Sequence, residues 1–280
     1  MKKPDDPDTF YYYTSLNSVD RKQWFKDILI NHKVYFRKRT ELNDPLELRP
    51  SIIFEGSDKE LKHFFRKKIQ QYSPIKFSPA KRLIEEKKFI QKYRSSPLLV
   101  EEILHELLDK IGIFSFSETP NVPLLWAHYA DGYRGAIIEF GSNYGLFEIA
   151  QKVQYTNTPP VINRLKDSPS VILDKCMFTK AEHWSYEKEW RVIARWNDIP
   201  RTEQFINQHK PSSLVQEFIR SQNGPGCYNI PSESIKGLIL GPQIASETEE
   251  WIKTLVREST LPITLTKATL NKTGEIQIPN

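Results

Sequence analysis

At 280 residues, with 39% hydrophobic and 27% charged side chains, the chain can bury one large core or two small ones, and its mixed composition excludes wholesale disorder. No apolar run approaches the roughly 18–20 residues of a membrane span, and the first residues, MKKPDDPDTFYYY, lack the apolar stretch of a secretory signal. The two cysteines, Cys176 and Cys227, make neither a disulfide framework nor a four-ligand zinc site, so a cytoplasmic protein with reduced thiols is expected.

The net charge of +5 is unevenly spread. Twelve Lys and Arg against three acids fall between Lys59 and Arg94, so that segment carries about +9 and the remainder about −4. Such a patch attracts polyanions, or it is the solvated face of two helices.

In chain order, TFYYYTSLN reads as a first strand closed by turn formers. SVDRKQWFKDILINHK follows with Trp24, Phe25, Ile28 and Leu29 at helical spacing behind a Ser18 N-cap. VYFRKR predicts a second strand, and TELNDPLELRP a polar loop in which Asn43-Asp44-Pro45 forms a turn. Residues 58–94 predict two basic helices broken around Ser73–Pro79. PLLVEEILHELLDKIG predicts a further helix, begun by Pro97 and ended by Gly112, with His105 partly exposed.

After Gly112 the period shifts to two. IFSFSE predicts a strand with Ser115 and Ser117 on one face and Phe114 and Phe116 on the other. PLLWAHYADG is a short helix with Pro123 at its first position and Asp131-Gly132 at its end. YRGAIIEFG returns to a strand, with Gly135 at a bulge or close approach. KVQYTN, MFTKAEHW and YEKEWRVIARW all read as strands. SSLVQEFIRSQN is a helix and SIKGLILGP an apolar strand. SETEEWIKTLVREST is a helix with Ser246 and Glu249 as a capping box, and LPITLTKATL is the last strand. Helices early and strands late predict one α+β domain over 1–280 with a mostly antiparallel sheet, residues 58–111 being a helical elaboration.

No GxxxxGK[ST], GxGxxG, HExxH, GxSxG or CxxC occurs, which argues against the corresponding nucleotidases, zinc hydrolases and α/β-hydrolases. His128 and His183 are too isolated to define a metal site. Within SYEKEWRVI, Glu187 and Glu189 at i and i+2 on a strand would share a face about 6.5–7 Å apart, with Arg191 continuing it. Paired carboxylates repel and raise a pKa unless a cation compensates. The same pattern also fits a charged, exposed edge strand. In WAHYADGYRGAIIEF, Trp126 and His128 lie about 200° apart on a helix and Trp126 and Tyr129 about 60° apart. Trp126 and Tyr129 are therefore expected to serve the core, leaving His128 as the member facing a ligand.

The succession LNDPLE, FSFSE, LLWAHYADGYRGAIIEF and W-x-Y-E-x-E-W-R resembles a bacterial family of unknown function whose members occur in abortive-infection (phage-defence) contexts. The resemblance covers roughly residues 10–195. Leu46 stands where the family has Phe, Ile113 where it has Cys, and Tyr133 where it has a second His. A weaker similarity links Ser-x-Ser followed by Glu-x-Glu to the arginine–serine–glutamate arrangement of ADP-ribosyltransferases.

That second similarity implies NAD as substrate and an ADP-ribosyltransferase-like fold. Arg37 or Arg39 would contact phosphates and Ser115 and Ser117 would brace the nicotinamide side. Glu189 would hold the ribose and Glu187 orient the acceptor, with His128, Tyr129, Asn43 and Asp44 in the same site. The leading expectation is an effector modifying a protein or nucleic acid in phage defence or as a toxin, together with a cognate defence partner. Two alternatives stay open: a non-enzymatic sensor or interaction module, and a nucleic-acid-binding protein using Lys59–Arg94.

Overall fold

The computed structural model describes residues 5–53, 55–72, 77–95, 104–195 and 199–279. A seven-stranded sheet organises them. Its strands are β1 (Thr9–Thr14), β2 (Gly112–Ser117), β3 (Ala136–Gly141), β4 (Gln151–Lys152), β5 (Glu189–Ala194), β6 (Ile235–Leu240) and β7 (Thr264–Lys267). They lie in the order β7-β6-β3-β1-β2-β5-β4. All neighbours are antiparallel except β6 and β7, which are parallel. The protein is therefore α+β with a mixed, mostly antiparallel sheet. Among the described residues no helix is long and apolar enough to cross a membrane.

The helices are α1 (Val19–Asn31), α2 (Asp58–Tyr72), α3 (Pro79–Ser95), α4 (Pro123–Tyr129), α5 (Pro169–Met177), α6 (Ile199–His209), α7 (Ser213–Ser221) and α8 (Ser246–Ser259). The parallel β6–β7 pair requires a crossover, and α8 supplies it.

The period-two alternation decides what each face of the sheet buries. Phe114 and Phe116 of β2 join Phe10, Phe140 and Leu238 in the main core, under Phe25 and Leu29 of α1, Phe218 of α7 and Ile252 of α8. The opposite face carries two smaller apolar clusters, one around Trp126, Ile137 and Ile239 and one around Ile113, Ile193 and Met177. Ser115, Ser117, Glu189 and Arg191 alternate out of the main core onto that second face.

Local signals explain several boundaries. Ser18 caps α1 by accepting from the Arg21 N–H. Pro123 stands at the start of α4, and Asp131, Gly132 and Tyr133 follow its end with positive φ. Gly135 is a close approach: a Cβ there would lie 2.2 Å from the Thr14 carbonyl oxygen.

Other expectations need correction. The VYFRKR strand shortens to Lys33–Phe36 and pairs with Gly226–Asn229, outside the central sheet. Ser246 is the first helical residue of α8 rather than its cap, which is Ala245. The Glu249 carboxylate pairs with Lys253 and Lys267 instead of closing a capping box. MFTKAEHW is strand only over Thr179–Ala181, because Met177 ends α5 and Glu182–Glu187 is a 3-10 turn. Helix α6 was not anticipated. Both basic helices form as expected. The helix predicted from Pro97 begins outside the described residues, of which 104–108 are helical.

Candidate functional site

The strand predicted from YEKEWRVIARW begins only at Glu189, because Lys188 adopts a left-handed conformation at φ 45°. Glu187 ends the 3-10 turn, so it and Glu189 are not successive residues of one strand face. Strand β5 lies between β2 and β4, and its residues are buried, which overturns the exposed-edge reading. The Ser117 hydroxyl donates to the Glu187 carbonyl at 2.7 Å, and the Glu189 N–H donates to the Tyr155 hydroxyl at 2.8 Å. These bonds fix the kink and turn both carboxylates toward one point.

That point is the ammonium of Lys180. Its Nζ lies 2.5 Å from Glu187 Oε2, 3.0 Å from Glu189 Oε2 and 3.6 Å from Glu47 Oε2. The Arg191 guanidinium completes the group. It donates to Glu189 Oε1 at 2.7 Å, to Glu189 Oε2 at 2.8 Å, to the Met177 carbonyl at 2.7 Å and to Glu47 Oε1. All five side chains belong to residues only 1–7% exposed. Three carboxylates against two cations leave a buried formal charge of −1, and such a group persists only when its members satisfy one another.

The electrostatics follow from burial and contact. Burial alone would depress the Lys180 pKa, but Glu189 and Glu187 outweigh it and hold the ammonium above the ordinary lysine range. Burial pulls Arg191 down to about 9, still protonated at neutral pH. Burial and then Glu187 push Glu189 up, while Lys180 and the Ser115 hydroxyl act against that rise. Burial, and then the Glu187 charge, raise the Tyr129 phenol.

A cavity of about 330 Å³ opens onto this group. Arg37, Asn43, Ser115, Ser117, His128, Tyr129, Glu187 and Glu189, all expected at the site, line it. Arg37 reaches it from an isolated bridge that pairs its backbone with Ile113 of β2. Arg39 does not: it pairs with Asp109 at 2.9 Å. Asp44 does not line the cavity either; its carboxylate accepts from the Leu46 N–H at 2.9 Å and shapes the turn. Trp126 is fully buried, as expected, and its indole N–H donates to the Pro120 carbonyl at 2.8 Å.

Tyr129 corrects the helical-wheel argument. Its hydroxyl donates to Glu187 Oε1 at 2.7 Å and accepts from the Asn43 amide at 2.9 Å. Tyr129 is the last residue of α4, and its phenol lies in the cavity wall rather than in the core. His128 is exposed at the cavity edge, with its ring 6.5 Å from that of Trp184.

Lys180 and Arg21, two of the three Lys and Arg residues lining the cavity, were missed. The available signal for Lys180 was a lysine at the inward position of the short β-type stretch Thr179–Ala181. Glu47 was noted only as part of the polar loop, although the neighbouring Leu48 is buried. Among the described residues no group of three or more His, Cys, Asp or Glu is placed to hold a metal ion.

No family model, curated protein or solved structure matches the chain.

Proposed function

We propose that the chain is an NAD-consuming enzyme of the ADP-ribosyltransferase type, a phage-defence effector or toxin that modifies a protein or nucleic acid. One observation carries the reading: Arg37, Ser115, Ser117, Glu187 and Glu189, drawn from three separate stretches of sequence, line a single cavity. Arg37 and Arg21 supply positive charge to its wall for a pyrophosphate, and the buried floor has a net negative charge.

Cleavage of the nicotinamide–ribose bond leaves the bonding pair on nicotinamide and a cationic C1′, which the acceptor then attacks. A fixed carboxylate in a dry site stabilises that cation. Both Glu189 oxygens are held by cations, Oε1 by Arg191 and Oε2 by Arg191 and Lys180, whereas Glu187 pairs with one cation, Lys180 at Oε2, and its Oε1 accepts from the neutral Tyr129 phenol. The ribose-facing role is therefore assigned to Glu187, with Glu189 as its positioning residue. His128, at the edge, is placed to take the proton of the acceptor.

The test is incubation with adenine-labelled NAD and cell lysate, comparing wild type with Glu187→Gln and Glu189→Gln. Transfer of label or loss of NAD by wild type, reduced at least tenfold in Glu187→Gln, supports the reading. An inert wild type refutes it. The full engagement of Glu189 favours a second reading, a non-catalytic nucleotide sensor, whose signature is NAD binding by calorimetry without turnover.

A further inference from the structure

A second hollow lies between the basic insertion and the stretch before α5. Helix α2 contributes Lys59, His63 and Lys67 to it, and the stretch before α5 contributes Arg164 and Lys166. Its volume is about 770 Å³, and half-buried Phe64, whose ring lies 6.2 Å from that of Phe89 on α3, is in its wall. These cations come from segments far apart in sequence, so folding, not composition alone, assembles them.

The two acids of the hollow are occupied. Glu60 accepts from the Ser57 N–H at 2.7 Å and from its hydroxyl at 2.9 Å, capping α2. Asp167 pairs with Lys175 at 2.9 Å and accepts from the Asn163 N–H at 2.8 Å. Among the described residues Lys59, Lys67 and Arg164 make no ion pair, and Lys166 feels the Glu60 carboxylate without a salt bridge to it. The N-terminus of α5, capped by Ser168, opens on the same hollow and adds partial positive charge. None of the residues of α2 or α3 lines the first cavity.

We infer that this hollow binds a nucleic-acid strand by its phosphodiester backbone, with Phe64 against a base. Several separated cations along a concave wall suit phosphates repeated along a chain better than one phosphate group. An aromatic side chain beside them offers base stacking, which is tolerant of sequence.

The experiment is fluorescence anisotropy of a labelled single-stranded 20-mer DNA and the matching RNA across a salt series. Wild type is compared with a groove variant, Lys59→Gln, Lys67→Gln, Arg164→Gln and Lys166→Gln together. A control of equal charge loss on α3 carries Lys81→Gln, Arg82→Gln, Lys87→Gln and Lys88→Gln, and circular dichroism checks both folds. The groove variant is expected to lose at least tenfold in affinity. Its log–log salt slope should become shallower by about 0.7 per phosphate contact removed. The α3 control should stay within about twofold of wild type.

Equal losses in both variants would show a generic charge effect and overturn the assignment. So would absent or salt-independent binding by wild type. Binding of inorganic pyrophosphate or a mononucleotide without binding of the 20-mer would also overturn it, in favour of a small-anion site.

Discussion

The Tyr129 hydroxyl donates to Glu187 Oε1 at 2.7 Å while accepting from Asn43 at 2.9 Å. One phenol thus ties the end of α4, the LNDP loop and the buried carboxylate together. Burial and the Glu187 charge both keep this phenol protonated, so it is a donor throughout the neutral range. Tyr129→Phe removes that donor and leaves a buried carboxylate oxygen short of a partner. The expected cost is about 1–3 kcal/mol in urea unfolding, with a fall in NAD turnover if Glu187 faces the ribose. Unchanged stability would mean the bond does not hold the carboxylate.

Lys180 is the cation on which the three carboxylates converge. Lys180→Met changes the buried formal charge from −1 to −2, and a loss of about 3–5 kcal/mol is expected. The pH dependence follows from the raised Lys180 pKa. A group bound more tightly as its protonated form stabilises the fold fully below its unfolded pKa, about 10.4 for lysine. That contribution is lost as pH rises through the folded value. Arg191, lowered to about 9, acts in the opposite sense above that pH, so the comparison is between the two proteins: the stability advantage of wild type over the variant should narrow as pH rises above the unfolded lysine value. At acidic pH the deficit of the variant should shrink, because a protonated carboxylate replaces the missing positive charge. Urea melts from about pH 5 to 11 read both limbs. A deficit that grows toward acid would refute this assignment of charges.

The net charge of the group makes Glu47 a discriminating position. Glu47→Gln keeps an oxygen for Arg191 and takes the buried charge from −1 to zero. It should cost no more than about 1 kcal/mol, far less than Lys180→Met, although both positions are buried. If the two variants are equally destabilised in parallel urea melts, packing rather than charge balance sets the stability of the cluster.

Much of the sheet was legible because the period-two pattern in FSFS reports directly on which side chains face the main core, while the apolar run GAIIEF marks a strand buried on both faces. Pro123 and Asp131-Gly132 marked α4 through backbone chemistry that needs no partner. The convergence of Lys180, Glu47 and Arg191 was not legible. It depends on the left-handed Lys188 and on the Glu47 loop and the short Thr179–Ala181 strand packing against β5, none of which leaves a local pattern. The loss of the capping box at Ser246 has a similar cause: Lys267, on the neighbouring β7, pairs with Glu249. Which of Arg37 and Arg39 lines the cavity also rested on tertiary contact, namely Asp109 beside Arg39.

Trp126 and His128 share a seven-residue helix and should separate stability from function. Trp126 is fully buried among Ala130, Ile137 and Ile239, with its indole N–H satisfied by Pro120. Trp126→Ala removes that packing and strands the Pro120 carbonyl, for an expected loss of about 3–5 kcal/mol. His128 is exposed at the cavity edge. His128→Ala should stay within about 0.5 kcal/mol of wild type in thermal or urea melts. Its effect should fall on the ligand instead: NAD turnover lowered by about tenfold or more if the imidazole takes the acceptor proton, with little change in NAD binding by calorimetry. Normal turnover in a folded His128→Ala protein would remove His128 from the proposed chemistry while leaving the carboxylate assignment intact.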